Sequence, residues 1–196
     1  MKKTTLILFF LAVSTMLMGQ HDTWSAYESS DAHPYGMKNP EAPEQLDDFK
    51  PMVGTCDCRS LSRNQDGTWQ DTTQMVWTFK YILNGTAIQD LTWHESFSAT
   101  SIRQFQPDSL KWVVSYASSK GISLKPGVWV GEKEGEEIVL RLPQKAPNGM
   151  DGASRLTFTN ISEQGFDWRG EWVNEEQGIV YPFWLIWCEK RTSDKE

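Results

Sequence analysis

From Met52 to the end of the chain, polar and apolar residues alternate with a period of two, and turn signals interrupt the pattern at short intervals. Successive side chains of a strand point to opposite faces, so this alternation predicts half-buried β-strands, and no helical period of useful length competes with it. The clearest breaks are Gln65-Asp66-Gly67-Thr68, Asn84-Gly85-Thr86, Gln106-Pro107-Asp108-Ser109, Lys133-Glu134-Gly135-Glu136, Glu163-Gln164-Gly165 and Glu175-Glu176-Gln177-Gly178. Asp-Gly and Asn-Gly favour the positive backbone angles that tight hairpins need. Ten strands are predicted between them, near 52–63, 68–82, 86–96, 100–106, 110–118, 127–133, 136–142, 152–162, 165–174 and 179–190. The segment 143–152, with Pro143, Pro147, Gly149 and Gly152, is the one long irregular connection.

The alternation also sorts faces. In the second strand Trp69, Thr73, Met75, Trp77, Phe79 and Tyr81 share one side, and Gln70, Thr72, Gln74, Thr78 and Lys80 share the other. Similar stripes run through Leu110, Trp112, Val114 and Tyr116, through Ile138, Leu140 and Leu142, and through Phe166, Trp168 and Trp172. Strands with one apolar and one wet face are satisfied by a sheet that closes on itself. The expected fold is therefore all-β, an antiparallel up-and-down barrel of about 8–10 strands. The last strand is apolar on both sides, with Phe183, Leu185 and Trp187 against Trp184 and Ile186, which predicts cover from a further segment such as the amino-terminal arm. That arm, 21–40, is polar and proline-rich and is expected to be flexible. A short helix over about 41–49, with Leu46 and Phe49 on one face, would cap one end of the barrel.

Residues 1–20 have the layout of a secretory signal peptide: basic Met1-Lys2-Lys3-Thr4-Thr5, the apolar run from Leu6 to Val13, and a small, weakly apolar close. The run is shorter than the roughly 20 residues that cross a bilayer, and no cysteine lies nearby to accept a lipid. An exported protein, periplasmic or secreted and without a membrane anchor, is the expectation. Residues 41–191 would form the barrel domain and 192–196 a tail. The formal charge of −7 grows more negative once Lys2 and Lys3 are removed, and the basic residues are scattered, so nucleic acid is excluded as a partner. His21, His33 and His94 lie too far apart to suggest a metal site. Cys56, Cys58 and Cys188 are an odd number, which leaves at least one thiol outside any internal disulfide.

Polar residues that fall on an apolar face carry the functional expectation. Gln89 and Glu95 share a face with Leu91 and Trp93; Arg103 shares one with Phe105; Tyr116 lies on the Trp112 face; Arg155 lies with Ala153 and Thr157. A buried charge is costly unless paired or wetted, so several inward polar groups imply either an internal polar network or a water-containing cavity able to orient a ligand, and the cavity is the expectation taken forward. The candidate binding residues are Trp77, Gln89, Trp93, Glu95, Arg103, Trp112, Tyr116, Arg155 and Trp168, and the expected partner is a small apolar or amphipathic molecule. Two alternatives stand beside this. One is a cavity lyase, isomerase or hydrolase using Glu95, its pKa raised by burial, with Arg103 or Tyr116. The other is a structural or envelope interaction protein docking a partner through exposed aromatics such as Trp129 and Trp184. His94 falls opposite Glu95 and reads as an outward or edge histidine, and no nucleophile elbow or phosphate loop is present.

Gly54-Thr55-Cys56 at the start of the first strand, the short helix before it, about ten meandering strands and Arg191 just past the last one resemble the calycin superfamily, which includes lipocalins and fatty-acid-binding proteins. The likeness extends over 41–191 and is closest to bacterial secreted proteins with a lipocalin-like barrel. It implies a closed barrel in which the first and last strands are antiparallel neighbours. Where the lipocalin pattern has a tryptophan packed under the terminal arginine, this chain has Cys56, so the cation–aromatic closure cannot form there. Barrel closure would then bring Cys188 to Cys56 or Cys58, and a disulfide to one of them would replace the lost contact. Some barrels of this kind hold haem through a histidine near the carboxy-terminal strands. No histidine follows His94, and no cofactor is expected.

Overall fold

The computed structural model describes residues 24–124 and 126–191, so the signal-peptide reading of 1–20 and the 192–196 tail lie outside the described residues. All ten predicted strands form: β1 (Gly54–Ser62), β2 (Thr73–Ile82), β3 (Ala87–His94), β4 (Phe97–Gln106), β5 (Lys111–Ser118), β6 (Val128–Glu134), β7 (Glu137–Pro143), β8 (Ala153–Ser162), β9 (Gly165–Asn174) and β10 (Ile179–Lys190). Each pairs antiparallel with its neighbour in sequence, and β1 pairs with β10, which closes the barrel. The largest boundary difference is at β2, which starts at Thr73. Trp69 makes only an isolated bridge to Arg63, and its indole lies under the Arg63 guanidinium at 4.5 Å, with the Tyr181 ring 4.8 Å away.

The inner stripes follow the alternation within the strands, but Leu110, in the turn before β5, and Trp69, before β2, are exposed. Met75, Trp77, Phe79 and Tyr81 of β2, Trp112 and Val114 of β5, Ile138 and Leu140 of β7, and Phe166 and Trp168 of β9 are all buried. The amino-terminal helix is corrected to two 3₁₀ turns, Glu44–Asp48 and Lys50–Met52. Pro51 has no N–H to donate, so an α-helical ladder cannot run through this stretch. The turns still plug one end of the barrel: Leu46, Phe49 and Met52 are fully buried. The Phe49 ring meets Trp112 edge-on at 4.8 Å and Phe158 at 5.7 Å, and Trp112 Nε1 donates to Asp48 Oδ2 at 3.1 Å.

Two expectations about the arm are also corrected. Residues 24–40 are tied down, and to the β2–β3 turn instead of the last strand. Tyr27 N–H donates to Asn84 Oδ1 at 3.1 Å, Asn39 N–H to Gly85 O at 3.0 Å and Tyr81 N–H to Tyr35 O at 2.8 Å. Leu83, Asn84 and Gly85 of this turn all have positive φ, and a Cβ on Gly85 would collide with the Met37 carbonyl, so the glycine permits the arm's close approach. The two-sided apolar character of β10 has a different source, a bulge between Pro182 and Trp184. The bulge inserts Phe183, whose ring occupies the space over Gly170; a Cβ there would lie 2.8 Å from it. Past the bulge Ile186 and Cys188 are buried in the core against Trp184, whereas Trp187 lies under Arg59 at 5.7 Å.

The closing seam resolves the cysteines. Cys58 and Cys188 face each other in the β1–β10 register, 4.1 Å apart at Cα, and form the disulfide; Cys56 is buried two residues away and stands outside it. Arg191 still reaches the first strand, but through a carboxylate. Its Nη2 donates to Asp57 Oδ1 at 2.7 Å and its Nε to both Asp57 oxygens at 3.1 Å, while its N–H donates to Thr55 O at 2.9 Å. These hydrogen bonds hold the Asp57 carboxyl below its ordinary value of 3.8.

Two measurements check the seam. The disulfide ties positions 130 residues apart, so Cys58→Ser/Cys188→Ser is expected to lose about 2–4 kcal/mol of stability in urea unfolding; detection of three titratable thiols in the denatured, unreduced protein would contradict it. For Asp57 a depressed pKa means that the stabilisation is present above the unfolded value of 3.8 and is lost as pH falls through the lowered folded value. NMR titration should place the Asp57 midpoint below 3.8, and Arg191→Gln should return it to the ordinary range.

Candidate functional site

Beyond the plug the barrel interior is not filled. A cavity of about 230 Å³ lies between the strands, bounded on one side by Leu156, Phe158, Trp168, Trp184 and Ile186. Trp168 and Trp184 pack edge-on at 5.3 Å, and Trp184 Nε1 donates to Ser60 Oγ at 2.8 Å, which fixes this aromatic wall. Towards the end opposite the plug the lining includes Phe97, Tyr116, Trp129 and Phe183. The Tyr116 ring sits edge-on to Trp129 at 6.1 Å and is partly exposed.

The facing wall comes from β3 and β4 and is polar. Asp90 and Thr92 of β3 and Ser101 and Arg103 of β4 all line the cavity and are all buried. In the register Asp90 faces Ser101 and Ile88 faces Arg103, so Asp90 and Arg103 are diagonal neighbours. Arg103 Nη1 is ion-paired with Asp90 Oδ2, and both side chains are only 3% exposed. Asp90 Oδ1 also accepts from the Ser101 N–H at 3.1 Å. The guanidinium is covered by aromatic rings, with Phe79, Phe49 and Phe158 at 5.1, 5.2 and 5.6 Å. Burial of both charges carries a desolvation cost of several kcal/mol per ion, which close pairing and the ring faces offset.

The structure separates the nine candidate residues. Trp77, Arg103, Tyr116 and Trp168 line the cavity. Trp112 is inside the barrel but packed on the plug, with no part in the cavity. Gln89, Trp93, Glu95 and Arg155 are corrected to the outside. On β3 the inward set is Ile88, Asp90 and Thr92, so Gln89, Leu91 and Trp93 face out; Trp93 is 56% exposed, and Gln89 Nε2 donates to Thr100 Oγ1 at 3.1 Å. Glu95 is exposed in the β3–β4 turn, so no arrangement of Glu95 with Arg103 or Tyr116 exists. Arg155 is on the outer face and bonds Glu171 Oε2 through Nε and Nη2 at 3.0 and 2.8 Å. Trp129 and Trp184 line the cavity and are not exposed docking residues, while Trp93 and Trp24 are the most exposed indoles. His94 belongs to the rim: Nε2 bonds Thr73 Oγ1 at 2.9 Å, Nδ1 bonds Ser96 Oγ at 3.0 Å, and the ring stacks on Phe97 at 5.1 Å. Among the described residues no three His, Cys, Asp or Glu side chains gather as a metal site would require.

The residues that sequence reasoning missed are Asp90, Thr92 and Ser101. One signal could have found the first. An inward Arg103 demands a carboxylate on a neighbouring strand, and the predicted third strand offers only Asp90 and Glu95, of which Glu95 falls at its end.

Solved structures share this architecture in 12 matching chains. The crystal structure of Rv2717c from M. tuberculosis superposes with a TM-score of 0.51 at 13% identity, covering 77% of this chain and 99% of that one. At that identity the likeness shows a common barrel fold and nothing of activity. No family model matches the sequence, and no curated protein is significantly similar to it.

The Asp90–Arg103 pair makes a sharp energetic prediction. Asp90→Ala strands a buried guanidinium and is expected to cost about 3–5 kcal/mol in urea unfolding, whereas the double change Asp90→Leu/Arg103→Met should cost less than that single change. A double variant less stable than Asp90→Ala would contradict the account.

Proposed function

We propose that this protein is an exported, calycin-like barrel that binds a small apolar or amphipathic molecule in its interior. The observation that carries the reading is the cavity. The plug end is packed solid by Leu46, Phe49, Met52 and Trp112, yet about 230 Å³ beyond it stays open between aromatic side chains. Interiors normally pack to crystal-like density, and an opening with room for about eight water molecules forfeits dispersion contacts that a ligand would restore. The volume is just under the roughly 300 Å³ at which pockets for drug-sized ligands begin, so the ligand is a compound of one or two rings or a short chain.

The indole and phenyl surfaces supply apolar contact at about 25 cal/mol per Å² buried, and the β3–β4 wall supplies the polar groups that orient the guest. The signal-peptide layout of residues 1–20 supports placing the protein in the periplasm or outside the cell, without an anchor. Its negative charge supports a small-molecule partner over nucleic acid.

Ala99, which lines the cavity and is nearly buried, provides the test. Native mass spectrometry against short-chain lipids, isoprenoid alcohols and one- or two-ring aromatics should reveal a 1:1 complex whose formation changes tryptophan emission. Ala99→Phe, which fills the space, should weaken that complex at least tenfold while the circular dichroism spectrum stays unchanged. A panel without a binder, or a binder indifferent to Ala99→Phe, would sink the proposal.

A further inference from the structure

The polar wall holds more than the ion pair. Thr92 and Ser101 are 6% and 8% exposed, line the cavity, and among the described residues neither hydroxyl has a hydrogen-bond partner. Both hydroxyl oxygens retain contact with the open space. Two hydroxyls with unused hydrogen-bonding capacity, open to the same cavity and on one wall of it, point to a guest that completes them. Their placement is regular. Asp90 faces Ser101 across the β3–β4 ladder and Thr92 faces Ala99, so the two hydroxyls are diagonal neighbours; Ser101 in turn faces Tyr116 of β5, which extends the oxygen-bearing row towards the rim.

The charge of the guest follows from the ion pair. Among the described residues, Asp90 and Arg103 are the only charged ones that line the cavity, and they neutralise each other. A carboxylate brought in would be an unmatched anion beside Asp90, and an ammonium would be an unmatched cation beside Arg103. Across the barrel lies a mainly apolar wall of Leu156, Trp168, Trp184 and Ile186.

We infer that the cavity selects a neutral ring compound carrying a hydroxyl or carbonyl oxygen on one edge, with that oxygen hydrogen-bonded by Thr92 and Ser101 and the opposite ring edge packed on Trp168 and Trp184. This inference rests on the binding role proposed above. A serine or threonine hydroxyl both donates and accepts, so the wall accommodates either oxygen type; the discrimination is against the bare hydrocarbon and against the charged acid.

The test compares naphthalene, 2-naphthol and 2-naphthoate, detected by ligand-observed NMR on the intact mature protein and on Thr92→Val/Ser101→Ala. Both substitutions remove an oxygen with little change in shape, and ratios of affinities within each protein are insensitive to the fraction folded. The expected order in the wild type is 2-naphthol at least tenfold tighter than naphthalene, with 2-naphthoate weakest. In the variant the naphthol preference should fall below threefold while naphthalene binding holds. Equal binding of naphthalene and 2-naphthol would overturn the selectivity and leave the binding role standing. Tightest binding by 2-naphthoate would overturn the neutral guest, and an undiminished preference in the variant would overturn the two hydroxyls as its source. Failure of all three compounds to bind would overturn the inference, and the binding role beneath it would fall only if the wider lipid and isoprenoid panel also failed.

Discussion

Every other feature depends on the pairing of β1 with β10. An open ten-stranded sheet of this sequence would expose two ladders of unpaired N–H and C=O groups and would leave its aromatic face with nothing to cover it. Closure removes both edges at once and converts that face into an interior. The seam is joined at three depths: the backbone ladder between Cys56–Ser62 and Trp184–Lys190, the Cys58–Cys188 disulfide inside it, and the Arg191–Asp57 ion pair at its end. The barrel is thus closed by covalent and ionic bonds as well as by the backbone ladder.

Closure creates an interior, and the ends decide how it is used. At one end Pro43 and Pro51 bound short 3₁₀ turns whose Leu46, Phe49 and Met52 fill the space, with Trp112 locked to Asp48. The Arg103 guanidinium sits where this plug meets the open part, over Phe49 and Phe158 and paired with Asp90. A buried ion pair is a poor source of stability, and an apolar wall of the same volume would serve a purely structural barrel as well or better. The pair lies on the same β3–β4 wall as Thr92 and Ser101, and this is the observation on which the proposed recognition of a guest most depends.

Strand number, order of faces on β2, β5, β7 and β9, the capping role of Leu46 and Phe49, and the inward position of Arg103 were legible in the sequence, because each rests on local alternation or spacing. The face of β3 was not. Alternation sorts its residues into two sets but does not say which set points in, and the more apolar set, Leu91 and Trp93, is the outer one because the inner set supplies the polar wall. Hydrophobicity therefore selects the wrong side of a strand at the point where polar groups line the cavity. The same ambiguity put Arg155 in the interior, where the outer partner Glu171 was invisible without the β8–β9 register. The bulge that inserts Phe183 and the docking of residues 24–40 on the Gly85 turn depend on contacts between distant segments, which no local pattern carries.

The central claim is that a closed barrel keeps an open, largely apolar cavity beside the Asp90–Arg103 pair, and diffraction from crystals pressurised with xenon tests it most directly. The account predicts an anomalous peak inside the barrel between Phe158, Trp168 and the β3–β4 wall, since xenon enters empty apolar space. A map in which side chains such as Tyr116, Phe97 and Trp184 have collapsed into that volume, with no xenon bound, would contradict it.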